Sequence, residues 1–246
     1  MPINLAGIDN LSQDAVAHYW NTLTAQSTRQ REGEADRGRR AAVTGGRQMD
    51  GFCRLIQHVL VNNGIQNSDI FLNSELELPG FFRPTKKWDI LVVHDGTLLA
   101  AMECKSQRGP SFGNNFNNRA EEAIGTAHDL WTAYREGALG DSHPRPWTGW
   151  IMLLESCPQS TSPVVVKEPH FPVLDEFRGS SYAMRYELLL RKLMRERLYD
   201  AAAFMTANEE DGLNGEFQEP ADDLTIRSFL AGLGGHVETY LASRQD

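Results

Sequence analysis

The spacing of apolar residues divides the chain into recognisable elements. Leu11, Ala15, Tyr19 and Leu23 recur at helical intervals and predict a helix over 11–30. Residues 31–47 break that pattern with four glycines and a cluster of arginines, and read as a basic loop. Phe52, Leu55, Ile56, Val59 and Leu60 then form the stripe of a second helix, which runs out at Asn62-Asn63-Gly64. Asp69–Leu78 alternates weakly, as a half-buried strand does. Trp88–Val93 and Thr97–Lys105 are two apolar strands joined across His94-Asp95-Gly96, a hairpin signal. Residues 106–118, with four asparagines, read as a polar loop. Over 119–136, Ala120, Ala123, Ile124, Ala127 and Trp131 make one face of a helix. Trp147–Leu154 is a buried strand, and Val164-Val165-Val166 is a candidate for another. Ser181–Phe204 reads as one long helix, and an acidic loop followed by two short helices completes the chain. The order helix, three strands, helix, strand predicts an α/β fold with a mixed central β-sheet flanked by helices. The 246 residues fit a single domain: helices and basic loop over 1–66, sheet core over 67–170, and a helical C-terminal elaboration over 171–246.

Composition excludes several classes. No apolar run is long enough to span a membrane, and the first residues lack the basic-then-apolar pattern of a secretory signal. Three widely spaced cysteines without a CxxC pair fit a reducing cytoplasm rather than a disulfide or zinc framework. The seven histidines show no HExxH or paired spacing, and no glycine-rich phosphate loop precedes a Lys-Ser/Thr. The net charge of −9 is concentrated: Glu209–Asp223 holds seven acids and no base, and removing them leaves −2. Arg29–Arg54 holds seven arginines against four acids, a local +3. An acidic total is therefore compatible with a locally basic cleft.

The chemistry lies in the hairpin. Glu103 and Lys105 are two apart on a strand and point to one face. They end an apolar run, where burial without partners is costly. Asp89 interrupts the apolar run of the preceding strand. A two-residue loop pairs Asp89 with Met102 and sends Glu103 to the opposite face. A three-residue loop, Asp95-Gly96-Thr97, pairs Asp89 with Glu103, and Gly96 supplies the positive φ such a loop needs. The expectation is the three-residue loop. Two opposed carboxylates, with the Cys104 carbonyl, suit a hard cation such as Mg²⁺, which keeps several waters. Lys105 beside them can hold or deprotonate a water and neutralise transition-state charge, so the set fits phosphodiester hydrolysis. The Cys104 side chain belongs to the opposite face.

Asp89 with Glu103-Cys104-Lys105 resembles the PD-(D/E)xK nuclease superfamily, with Trp88 in place of the usual proline. Ala42–Phe52, Glu103–Gln107 and Asn114–Glu122 are similar to the XhoI-type restriction endonucleases, and the resemblance covers most of the chain. It implies a restriction-endonuclease-like core with added helices, and Mg²⁺-dependent double-strand cutting of DNA at the palindrome CTCGAG. It also implies a homodimer and a cognate DNA methyltransferase in the same system. Other readings are a repair or junction-resolving nuclease of the same fold, a non-catalytic DNA-binding module, and an acidic interaction protein with no DNA role.

Around this centre, Gln107, Arg108, Asn114, Asn115, Asn117, Asn118 and Arg119 are candidates for base contacts, since Asn and Gln pair with adenine and Arg with guanine. Their alternative is a polar loop with Asn in turns. Arg37, Arg39, Arg40 and Arg47 are candidates for phosphates, or members of a flexible basic loop. Asp50 reads as a helix N-cap or as a further acid from the first helix of the core. Glu75 and Glu77 read as a second-metal site or as a solvated edge. The apolar face of the 181–204 helix reads as core or dimer interface, with Arg191, Lys192, Arg195 and Arg197 solvated.

Overall fold

The structure, a computed structural model, describes residues 3–31, 47–140 and 142–244. The basic loop with Arg37, Arg39 and Arg40 lies outside the described residues. Helix α1 (Ile8–Arg31) buries Ala15, Val16, Tyr19 and Trp20, and α2 (Asp50–Asn62) buries Phe52, Leu55, Ile56, Val59 and Leu60 against it. The helices cross closely because Gly51 has no side chain: a Cβ there would lie 2.7 Å from the Ala15 Cα.

The stretch expected as one strand over 69–78 is two short ones. Strand β1 (Ile70–Phe71) joins the central sheet; β2 (Glu77–Pro79) pairs instead with β3 (Thr85–Lys87) in a separate hairpin. Glu75 between them has φ 57°, which extended backbone cannot accommodate. Strands β4 (Ile90–His94) and β5 (Thr97–Gln107) form the expected antiparallel pair. Helix α3 (Phe112–Arg135) then crosses to β6 (Trp147–Glu155), parallel to β5. The segment 106–118 is thus the end of β5 and the first turns of α3 rather than a loop. After the short α4 (Pro158–Thr161), Val164–Val166 forms no strand, and Val165 is 92% exposed.

Helix α5 (Tyr182–Arg195) stops short of the predicted length, and β7 (Ala201–Ala207) follows, parallel to β6. Ala201-Ala202-Ala203-Phe204 carries helical propensity, but pairing along a strand buried from Ala202 onward overrides it. Helix α6 (Glu209–Leu213) opens the acidic stretch, with Asn208 as N-cap accepting the Asp211 N–H. One 17-residue helix, α7 (Ile226–Ala242), replaces the two short ones expected. Gly232, Gly234 and Gly235 sit inside it; a Cβ on Gly234 would meet Ile3 at 2.6 Å. Packing keeps that helix continuous where propensity alone would break it.

The five-stranded sheet has the order β1-β4-β5-β6-β7, antiparallel on one side of β5 and parallel on the other. The expected α/β architecture with a mixed central sheet is therefore observed. Alternation in the strands makes two cores. Met102, Cys104, Ile151, Leu153 and Met205 pack under α1, α2 and α7; Trp150, Met152, Leu154 and Phe204 pack under α3 and α5. Leu189, Leu190 and Leu193 of α5 are buried in the second core, so that face is core and not a dimer surface. Arg191 pairs with Glu187 and Asp223, and Lys192 with Glu176. No helix among the described residues is long and apolar enough to cross a membrane.

Candidate active site

The β4–β5 connection differs from expectation in form and agrees in consequence. His94 pairs with Thr97, so the loop is the two-residue Asp95-Gly96, both at positive φ (48° and 72°). Val93 pairs with Leu98, but Val92 pairs with Ala100, leaving Leu99 as the extra residue of a β-bulge. Leu99 and Ala100 consequently face the core under α1, α2 and α7, while Leu98 and Ala101 face a third, smaller cluster with Leu76, Trp88 and Leu130. The bulge adds back the residue that a three-residue loop would have supplied. Beyond Ile90↔Met102, the register sets Asp89 opposite Glu103.

The three residues meet. Asp89 Oδ2 accepts the Lys105 Nζ donor at 2.9 Å and the Cys104 backbone N–H at 2.9 Å. Lys105 also forms an ion pair with Glu103 Oε2 and lies 3.5 Å from Glu122 Oε1. Glu103 is fully buried, in the central strand. Its Oε1 accepts Lys86 Nζ at 2.5 Å; its Oε2, although ion-paired, has no hydrogen bond of acceptable direction. Burial pushes Glu103 up to about 7, helped by the Asp89 charge and resisted by Lys105 and Lys86. Burial also acts to raise Asp89, but Lys105 and the hydrogen bonds to its carboxylate outweigh it and hold its pKa low. Lys105 is desolvated too, yet Glu103, Asp89 and Glu122 raise it, so its ammonium stays charged. One carboxylate is thus held ionised and its neighbour is poised near neutrality.

Asp89, Cys104 and Lys105 edge an open cleft of about 560 Å³, also lined by Arg47, Asp50, Lys87 and Arg119, and Glu103 is buried behind them. Asp50 is the first residue of α2 and not its cap; Met49 holds that position without a side-chain bond. Burial raises the Asp50 pKa against the pull of His18, Arg54 and Arg47. Glu75 and Glu77 are exposed and do not line the cleft, whereas Leu76 between them does. The Cys104 side chain is buried in the core opposite, and the three cysteines are free.

A second cavity of about 390 Å³ adjoins the first through Gln48, Ser106 and Arg119. Arg108, Asn115 and Asn118 line it, the asparagines projecting from the first turns of α3. Asn117 is exposed outside it, as is Asn114. Gln107 is not available to DNA. It is buried, donates to the Phe112 carbonyl at 3.0 Å and accepts the Tyr186 hydroxyl. Sequence reasoning missed Lys86 and Glu122. Lys86 sits in the β2–β3 hairpin, whose pairing no local pattern announces. Glu122 stands one turn beyond the asparagines, and its reach to Lys105 depends on how α3 packs.

The donors suit a hard divalent ion: two carboxylates, one of them fully buried, with the Lys105 cation already lodged between them. No cluster of three His, Cys, Asp or Glu side chains able to hold a metal occurs among the described residues. The remaining ligands would be a backbone carbonyl and water, as Mg²⁺ accepts.

Residues 28–219 match the family described as Restriction endonuclease XhoI. The chain is 51% identical over 212 residues to the type II restriction enzyme BstVI of Geobacillus stearothermophilus, covering 84% of this chain and 94% of that one. It is 49% identical over 196 residues to the type II restriction enzyme XhoI of Xanthomonas vasicola, covering 79% and 78%. It is 50% identical over 173 residues to the type II restriction enzyme AbrI of Azospirillum brasilense, covering 70% and 77%. No solved structure matches. With a family match across most of its length and relatives at about half identity, the chain belongs to the XhoI restriction endonuclease family.

Proposed function

We propose that the chain is a type II restriction endonuclease that makes Mg²⁺-dependent double-strand cuts in DNA at CTCGAG, with Asp89, Glu103 and Lys105 as its reaction centre. The observation that carries this reading is the ion-paired Asp89–Glu103–Lys105 cluster, whose Asp89 and Lys105 line an open polar cleft, in a chain of a restriction endonuclease family. The site CTCGAG rests on the resemblance to the XhoI-type enzymes.

Asp89, Glu103 and the Cys104 carbonyl would hold the metal. Bound there, Mg²⁺ supplies Lewis acidity toward a phosphoryl oxygen and acidifies a water. Lys105 keeps its proton, so it positions the attacking water and offsets charge on the pentavalent phosphorus rather than acting as the base. Arg47, Lys87 and Arg119 edge the cleft where backbone phosphates would run. Arg108, Asn115 and Asn118, which line the adjoining cavity, would supply the base contacts. The enzyme would work in the cytoplasm as a homodimer, one centre per strand, beside a methyltransferase that protects host DNA.

The test is digestion of a plasmid bearing one CTCGAG site, with Mg²⁺ or EDTA, by wild type and Asp89→Asn. A single metal-dependent cut at that site, lost in the variant, is the expected result. Discrete cutting elsewhere removes the site assignment alone. Cleavage confined to branched or damaged DNA indicates a repair or junction-resolving enzyme, and binding without cutting a non-catalytic module.

A further inference from the structure

Helical periodicity assigns Ile124 to the buried face of α3 with Ala123, Ala127 and Trp131. The structure buries those three and turns Ile124 outward, 47% exposed. His128, one turn on, is also exposed and stacks against Phe82 at 5.6 Å with an interplanar angle of 17°. Phe82 is 66% exposed and Phe81, edge-on to it at 4.9 Å, is 50% exposed. These rings are held outward by design of the hairpin tip. The buried Asp129 carboxylate accepts the backbone N–H groups of Phe81 and Phe82 at 2.8 and 2.9 Å, and Arg83 Nε at 2.7 Å. Between Ile124 and His128 lies Gly125, where an added Cβ would meet nothing within 4 Å. Glycine is a poor residue for a helix interior, and no contact within the chain makes use of the missing side chain.

We infer that this face of α3, with the Phe81–Phe82 tip, binds a second copy of this chain about a two-fold axis near Gly125. The inference rests on the proposed function, in which each copy cuts one strand. Projecting rings and a gap at Gly125 occur in one patch, as a self-complementary contact requires. Phe81, Phe82 and Ile124 leave roughly 300 Å² of apolar surface exposed, a sizeable share of the roughly 800 Å² per partner of a standard interface. Charge disfavours DNA as the occupant. Arg83 is held by Asp129 and Lys86 by Glu103, so the tip offers no free cation from either. The cavity with Arg108 and Arg119 lies toward the other end of α3. Glu122, three residues before Gly125, lies 3.5 Å from Lys105 Nζ, so this axis would set two reaction centres on either side of it.

Sedimentation equilibrium of the full chain, without DNA or metal, tests this. Wild type and Asp89→Asn are expected to be dimers at micromolar concentration, so the outcome does not depend on cutting. Phe82→Glu and Gly125→Leu should weaken the dimer at least tenfold, with unchanged circular dichroism. Gly125→Ala, which helix propensity favours in the monomer, keeps the test usable if the others misfold; it should weaken association rather than strengthen it. A wild-type monomer at about 100 μM, or variants that dimerise as tightly as wild type, would overturn the inference. So would a Phe82→Glu protein that stays dimeric and loses DNA binding, which would make the tip a DNA contact.

Discussion

Asp89 Oδ2 receives the backbone N–H of Cys104 at 2.9 Å, and this bond joins the start of β4 to the C-terminal part of β5. The same oxygen takes Lys105 Nζ, so one carboxylate both closes the hairpin and holds the cation of the proposed reaction centre. Asp89→Asn preserves size and one acceptor while removing the charge. Cleavage should fall by about a thousandfold or more. Binding of CTCGAG duplex in Ca²⁺ or EDTA should stay within a few-fold, and retention of cutting would dismiss Asp89 from the reaction.

Glu103 gives a pH dependence with a definite sign. Its carboxyl ionises near 4.5 in the unfolded chain and at about 7 in the folded one. Between those values the native state binds the extra proton, so without metal this group's contribution to stability falls as pH rises from 4.5 to 7. In the proposed mechanism, metal must displace that proton. The Mg²⁺ concentration for half-maximal cutting should rise about tenfold per unit below pH 7, and added Mg²⁺ should raise the melting temperature more at pH 8 than at pH 5.5. A flat Mg²⁺ requirement between pH 5.5 and 8 would show that Glu103 does not ligate the metal.

Lys86 lowers the Glu103 pKa from the side opposite Lys105. In Lys86→Met, Glu103 should ionise about one unit higher, and the acid limb of the pH–rate profile should move alkaline by that amount. Activity should recover at pH 9. A uniform loss at every pH would instead make Lys86 a contact to DNA.

Gln107 and Asn118 should separate structure from recognition. Gln107→Ala leaves the buried Tyr186 hydroxyl without its acceptor and removes a donor to the Phe112 carbonyl, and should cost about 1–3 kcal/mol of stability, read by urea melts. Asn118→Ala is expected within about 0.5 kcal/mol of wild type. Its loss should fall on cleavage of the correct site relative to sites altered by one base pair, by about 1–3 kcal/mol of discrimination.

Asp129→Ala removes three hydrogen bonds at once and should free the Phe81–Phe82 tip. Stability is expected to drop by about 1–3 kcal/mol. Hydrogen exchange at the Phe81 and Phe82 amides should accelerate more than at Ile90–His94, and equal acceleration in both segments would indicate global loosening.

The sequence by itself determined the sheet strands that matter, their apolar faces and the three charged residues, Asp89, Glu103 and Lys105, that the fold brings together. Those properties follow from side-chain alternation and from the presence of charged groups at the ends of apolar runs, both local. It also carried the family resemblance. What only the tertiary structure decided was set by partners distant in the chain. The Leu99 bulge restored the register that the two-residue turn alone would have shifted, because the strand had to present alternate residues to two different cores. Ala201–Ala207 became a strand because β6 offered a buried edge, and α7 stayed whole across three glycines because the sheet packs it. Lys86 reached Glu103 through a separate hairpin, and Gln107 turned inward to meet Tyr186 of α5. Ile124 faced outward although its spacing fits the buried stripe, since α3 rests on the sheet by its Ala123–Ala127–Trp131 side. In each case, burial and long-range hydrogen bonding outweighed the local preference of roughly 1 kcal/mol or less per residue on which sequence patterns rest.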